Sequence, residues 1–129
     1  MRLVLAAVLA LAGAAAHGAQ GAQGAQGAES ARGEEAYTRC LGCHSFEMHR
    51  TGPRHCGLFG RRAGAAPGYD YSPAMKRSGI VWNERTLDRF LAAPTKVVPG
   101  TTMTYAGVDD PAERTALIAY LKARSAACR

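Results

Sequence analysis

Two cysteines three positions apart, with a histidine directly after the second, constrain this chain more than any other feature: Cys40-Leu41-Gly42-Cys43-His44. At that spacing each thiol can form a thioether to one vinyl group of a haem. The adjacent imidazole then reaches the iron from the same side. Two other chemistries use a Cys-x-x-Cys pair. A structural zinc site needs a second pair of ligands at similar spacing, and the chain has no second Cys-x-x-Cys. A redox dithiol of the thioredoxin kind belongs in a βαβ context, and strand patterning is sparse here. The attached histidine and an export signal upstream favour one covalent haem c, held through Cys40 and Cys43.

That signal is the start of the chain. Met1 and Arg2 precede an apolar run over residues 3–12, followed by small residues. A short positive region, a brief apolar core and an alanine-rich cleavage region are the ordered parts of a secretory leader. The run is shorter than the roughly 20 residues a bilayer needs, although an uncleaved anchor is the competing reading. Residues 1–19 are therefore expected to be a signal peptide, cut after Ala16 or Ala19. Residues 20–32 continue a Gly-Ala-Gln repeat too poor in bulky apolar groups to offset the entropy of ordering it. They are expected to be a low-complexity linker, with one domain over residues 33–129. Localisation is then periplasmic, with no stable membrane insertion after cleavage.

The net charge is +6 and the excess is carried mostly by arginine: Arg39, Arg50, Arg54, Arg61, Arg62 and Arg77. A mild positive excess suits weak docking to an acidic partner. No basic run interleaves with aromatics, so nucleic acid is not an expected partner.

Haem iron in electron carriers has two axial ligands. The candidates for the second are Met48, Met75, Met103, His49 and His55. A lone methionine is more often core filler. Met103, however, follows the stiff turn Pro99-Gly100 and two threonines, a loop that can hold a thioether in place. Thioether ligation raises the reduction potential.

Helix signals occur in three places. Residues 33–43 read as a first helix, with Glu34 and Glu35 favouring its positive end. Asn83 is a suitable N-cap for a second helix carrying Leu87, Phe90 and Leu91 on one face and stopped by Pro94. Asp110, Pro111 and Glu113 open a third as cap, first residue and capping-box partner, with Leu117, Ile118 and Leu121 as its apolar stripe. Tyr37 and Tyr120 are expected to meet where the first and last helices cross. Residues 52–71, rich in glycine and proline, read as loops around the haem.

In order along the chain, several motifs resemble a family. They are Cys40 to His44, Thr51-Gly52-Pro53, Gly57-Leu58-Phe59-Gly60-Arg61, Gly68-Tyr69-Asp70-Tyr71-Ser72 and Gly79-Ile80-Val81-Trp82. Leu87, Pro94, Pro99 to Met103 and Leu117-Ile118-Ala119-Tyr120-Leu121 complete the set. Over residues 33–122 the chain resembles a small bacterial class I cytochrome c of the mitochondrial-type branch. The resemblance implies an all-α, single-domain class I cytochrome c fold, with three main helices plus short helical turns and loops wrapped around one covalent haem. It implies His44 and Met103 as axial ligands, and the Pro53 carbonyl accepting from the far nitrogen of His44. It implies Tyr71 and Trp82 as donors to a buried propionate, Arg61 offsetting its charge, and Thr101 lying against a propionate. No group resembles a catalytic acid or nucleophile, so the chain does not read as an enzyme.

The chain also departs from the family. The segment between His44 and Thr51 is shorter. His55 stands where relatives have an apolar residue; it is expected to pack neutral or point outward, with competition for iron as the remaining possibility. Phe90 and Met75 replace a common tyrosine and asparagine, so two polar partners near the haem are lost. Of the lysines that ring the haem edge in relatives, Lys76 and Lys96 remain. With Arg39 and residues 103–107 they form the expected docking face.

Two cysteines are left over. An even remainder in an exported protein suggests a disulfide, here between Cys56 and Cys128, against two free thiols or an intermolecular bridge. The expected function is a periplasmic, monomeric single-electron carrier. Its expected partners are redox proteins: a quinol-oxidising cytochrome complex, a terminal oxidase, a reaction centre or a periplasmic dehydrogenase. The alternative is a dedicated electron-accepting subunit of one such dehydrogenase, and a haem-based sensor or peroxidase would need an easily opened iron site.

Overall fold

A computed structural model describes residues 16–128. Five helices follow one another: α1 (Ala16–Thr38), α2 (Pro73–Arg77), α3 (Glu84–Ala92), α4 (Pro94–Val97) and α5 (Pro111–Ala127). Among the described residues there is no strand, only one isolated antiparallel bridge between Arg62 and Val81. The fold is all-α. No helix among the described residues is long and apolar enough to cross a membrane.

α1 packs most extensively on α5. Gly33 makes the close approach possible, because a Cβ there would overlap the Ala116 carbonyl oxygen and the Tyr120 side chain. One turn on, Ala36 and Tyr37 are buried, and the Tyr37 and Tyr120 rings lie 5.6 Å apart. The crossing expected from sequence is therefore present.

The first helix differs from expectation at both ends. It ends at Thr38, and residues 39–43 form a hydrogen-bonded turn in which His44 N–H donates to the Cys40 carbonyl at 2.8 Å. That turn sets the two thiols and the imidazole of the motif on one concave wall. At the other end, residues 20–32, expected as a low-complexity linker, are helical. Alanine and glutamine are good helix formers, and their local preference outweighs the glycines where an anchored helix can propagate backwards. Residues 21–32 are exposed throughout, so this stretch adds nothing to the core. The leader expected over residues 1–19 lies, up to residue 15, outside the described residues.

α3 has the cap anticipated for it. The Asn83 side chain accepts from Thr86 N–H at 3.0 Å while the Thr86 hydroxyl accepts from Asn83 N–H at 2.9 Å. Its buried face is Leu87, Phe90 and Leu91. The Asp110 side chain caps α5 by accepting from Ala112 N–H at 2.9 Å. Glu113 does not complete a capping box: its carboxylate is engaged by the Arg39 guanidinium of the haem-motif turn. α2 was not evident from the sequence. Ser72 caps it by accepting from Met75 N–H at 3.1 Å, and Pro73 opens it.

The segment between the motif and α3 is a chain of turns tied down by the Arg62–Val81 bridge, with Trp82 N–H donating to Arg61 O at 3.0 Å and Ala63 N–H to Ile80 O at 2.8 Å. Cys56 and Cys128 meet at the end of α5, Cα atoms 5.5 Å apart and sulfurs 1.96 Å apart. Beside them Gly57 N–H donates to Ser125 O at 3.1 Å, a second link from the proximal loop to α5.

Candidate haem site

The helices and loops enclose a largely apolar cavity of about 380 Å³. Its walls include Leu58, Leu87, Phe90, Leu91, Leu117 and Leu121, all buried. For about a hundred residues this is a large internal surface with little polar lining, which favours an apolar, planar occupant.

Cys40, Cys43 and His44 line one side. Neither cysteine forms a disulfide, and Cys40 is partly buried while Cys43 is exposed. Burial, partly countered by Arg39, pushes the Cys40 thiol up. His44 is buried, and its Nδ1 lies 2.8 Å from the Pro53 carbonyl oxygen. The carbonyl can only accept, so Nδ1 carries the proton and Nε2 keeps its lone pair, as a metal-ligating imidazole requires. Burial lowers the His44 pKa, and the hydrogen bond to Pro53 opposes that shift. Gly52 is obligatory here because any Cβ would overlap the His44 ring. The motif Thr51-Gly52-Pro53 thus supplies a bare backbone surface and one acceptor, both aimed at the same imidazole.

Met103 and Thr101 enter from the loop between α4 and α5, and both line the cavity. The Thr101 hydroxyl accepts from Met103 N–H at 3.2 Å, and Thr101 N–H donates to Val98 O at 3.0 Å. Thr101 therefore braces the methionine loop as well as facing the cavity. Among the other ligand candidates, Met75 also lines the cavity, buried in the middle of α2. Met48 is two-thirds exposed. His49 has both ring nitrogens engaged, Nε2 with Pro67 O at 2.8 Å and Nδ1 with Arg54 N–H at 3.0 Å.

The polar end of the cavity holds Arg61, Tyr71 and Trp82. Arg61 is anchored through its Nη1 to Cys56 O at 2.8 Å and its Nη2 to Arg54 O at 3.0 Å. Its Nε is buried with no hydrogen-bond partner among the described residues. Burial, with the neighbouring Arg54 adding to it, disfavours the Arg61 charge, and no carboxylate among the described residues pairs with it. A half-buried cation with an unpartnered Nε is a suitable place for an anion. Burial also raises the Tyr71 phenol, which stays protonated and able to donate.

These residues would hold a haem: the apolar walls its planar body, Cys40 and Cys43 its vinyl groups, Nε2 of His44 its iron and Arg61 a propionate. The residues present fit the group.

The sequence did not show what lies behind His44. The His55 ring stacks on it with centroids 4.3 Å apart and planes inclined by 23°. His55 Nδ1 is 3.0 Å from the Tyr37 hydroxyl. Burial, with His44 and Arg61 adding to it, pushes the His55 pKa down to about 3, so it is neutral at pH 7. Its unusual position was visible in the sequence, but not its place against the motif histidine. Two cations of the expected docking face have local partners: Arg39 is paired with Glu113, and Lys76 Nζ lies 3.3 Å from Asp70. Lys96 makes no ion pair among the described residues.

No protein-family model matches the sequence. Individual proteins do. A cytochrome c from Sesamum indicum is 45% identical over 98 residues, covering 73% of this chain and 88% of the relative. A cytochrome c2 from Rhodomicrobium vannielii is 41% identical, covering 70% and 74%. Among solved structures, cytochrome cH from Methylobacterium extorquens superposes with a TM-score of 0.71 at 44% identity, covering 73% of this chain and 97% of that one.

Proposed function

The chain belongs to the class I cytochromes c, carrying one haem c through Cys40 and Cys43 as an electron carrier, and from that premise we propose that it works in the periplasm as a diffusible shuttle between redox complexes. The observation that carries this reading is the juxtaposition of the thiols, His44 and Met103 around one apolar cavity, with Arg61, which no carboxylate among the described residues pairs with, at its polar end. The bound haem supplies a one-electron couple.

The protein's residues set that couple and hold it still. His44 Nε2 and the Met103 sulfur are the proposed axial ligands, with the Pro53 carbonyl orienting the first and Thr101 bracing the loop of the second. Tyr71 and Trp82 donate to a propionate, Arg61 neutralises it, and Thr101 faces the cavity beside it. The apolar walls exclude water, so little rearrangement accompanies electron transfer. Residues 1–19 are the proposed leader and 20–32 the tether ahead of the domain. The Cys56–Cys128 pair is proposed as a disulfide, a bond suited to an oxidising compartment. The proposed partners are a quinol-oxidising complex, a terminal oxidase, a reaction centre or a periplasmic dehydrogenase, met by a monomer.

The local neutralisation of Arg39 and Lys76 favours a second reading, a carrier dedicated to one dehydrogenase that does not select for a ring of free lysines. Expression of the full chain in a haem c-maturing bacterium, with fractionation and mass measurement, tests export. The expected product is periplasmic, begins within residues 17–20, weighs one haem more than its polypeptide and purifies alone. Retention in the cytoplasm, or a full-length chain in the membrane, contradicts the reading. Co-purification with a large partner favours the dedicated carrier.

A further inference from the structure

The residue stacked on the motif histidine has no task in the reading above. His55 lines the cavity beside His44, its ring nearly parallel to the His44 ring at 4.3 Å. Its outer nitrogen is tied to Tyr37, a buried residue of α1 whose ring is itself wedged against Phe46 at 4.8 Å and Tyr120 at 5.6 Å. Burial pushes the Tyr37 phenol up, so it stays protonated. A protonated phenol can donate to Nδ1 or accept from it, and in either direction the 3.0 Å hydrogen bond ties the His55 ring to Tyr37.

The two faces of His44 are then held by different means. The Gly52 backbone crowds its ring and the Pro53 carbonyl fixes its Nδ1, but a single hydrogen bond leaves the ring free to swing about the N–H···O direction. A flat partner stacked on the face removes that freedom, provided the partner cannot slide. The hydrogen bond between His55 and Tyr37, the latter anchored where α1 crosses α5, is what stops it sliding. We propose that Tyr37 and His55 form a clamp that sets the ring plane of His44, making His55 a positioning residue for the axial ligand and Tyr37 the residue that acts through it. The inference rests on the proposed ligation by His44. It links the α1–α5 crossing to the orientation of a metal ligand through two side chains.

The test uses the matured protein in its oxidised form and reads the proton NMR shifts of the haem methyl groups, whose spread reports the plane of an axial imidazole. Visible spectra are recorded beside them. His55→Leu keeps an apolar filler and removes the flat partner. Tyr37→Phe removes one oxygen and leaves the aromatic packing. Each is expected to redistribute the methyl shifts while the low-spin visible spectrum stays unchanged. The double variant is expected to match His55→Leu alone, because Tyr37 acts only through His55. Ile118→Ala, at a buried α5 residue that does not line the cavity, is expected to lower the unfolding midpoint and leave the methyl pattern in place. Methyl shifts identical to wild type in both single variants overturn the clamp, as does a pattern that follows stability across the three. Should His55→Leu fail to fold, Tyr37→Phe decides alone. A wild type without a low-spin spectrum marks failure of the ligation reading instead.

Discussion

Replacing both Cys56 and Cys128 by serine tests how much of this domain is held from outside its core. The two residues are separated by 72 positions. In the chain-entropy picture, cross-linking a loop of that length removes about 15 cal/mol/K from the unfolded ensemble, or ~4 kcal/mol at 25 °C. The net effect is smaller, roughly 2–4 kcal/mol, because denatured chains retain structure. The haem thioethers at Cys40 and Cys43 lie outside the closed loop and leave it unconstrained. For a domain of about a hundred residues, such a loss lowers the melting temperature by about 10–20 °C. The assay is thermal unfolding of the oxidised protein followed by far-ultraviolet circular dichroism. Wild type, the double serine variant and wild type under reductant are compared, with an ascorbate-reduced control separating reduction of iron from reduction of the bridge. The serine variant and the thiol-reduced wild type are expected to melt together, well below the untreated protein. Identical midpoints in all samples would refute the reasoning, because the bridge would then be absent or would constrain nothing.

Other substitutions address the cavity itself. Gly52→Ala puts a methyl group into the His44 ring, so the matured protein is expected to lose its low-spin spectrum or fail to retain fold; an unchanged spectrum would contradict the close approach. Arg61→Gln removes the cation at the polar end, which favours the oxidised form. Its reduction potential is expected to fall, by roughly 1 kcal/mol of redox bias or less, and a rise measured by spectroelectrochemistry would exclude a propionate partner. Leu117 is 1% exposed and lines the cavity from α5. Leu117→Ala is expected to cost about 2–5 kcal/mol in denaturant unfolding, and a loss under 1 kcal/mol would mean that the wall collapses easily.

Local chemistry was legible in the sequence. The Cys-x-x-Cys-His motif, the Asn83 and Asp110 caps, the apolar faces of α3 and α5 and the Tyr37–Tyr120 meeting all depend on neighbours in sequence or on one strong periodicity, and all are present. Features settled by through-space competition were not legible. Glu113 stands three residues after Asp110, the spacing of a capping-box partner. The turn after α1 brings Arg39 within its reach, and the ion pair takes the carboxylate instead. The Gly-Ala-Gln repeat can bury nothing of its own, yet continuity with the packed end of α1 lets its alanines and glutamines hold a helix. His55 was recognised as out of place, but its partner Tyr37 lies 18 positions away on another element. No spacing rule connects them.

The central claim is a covalent haem ligated by His44 and Met103. Visible and near-infrared spectra of the matured protein, oxidised and reduced, test it most directly, with Met103→Ala and Met75→Ala beside wild type because both methionines line the cavity. The account predicts sharp low-spin c-type bands and a weak sulfur-to-iron band in wild type. Met75→Ala keeps that band and Met103→Ala loses it. A high-spin wild type that readily binds carbon monoxide, or a sulfur band that disappears with Met75 and survives without Met103, would contradict it.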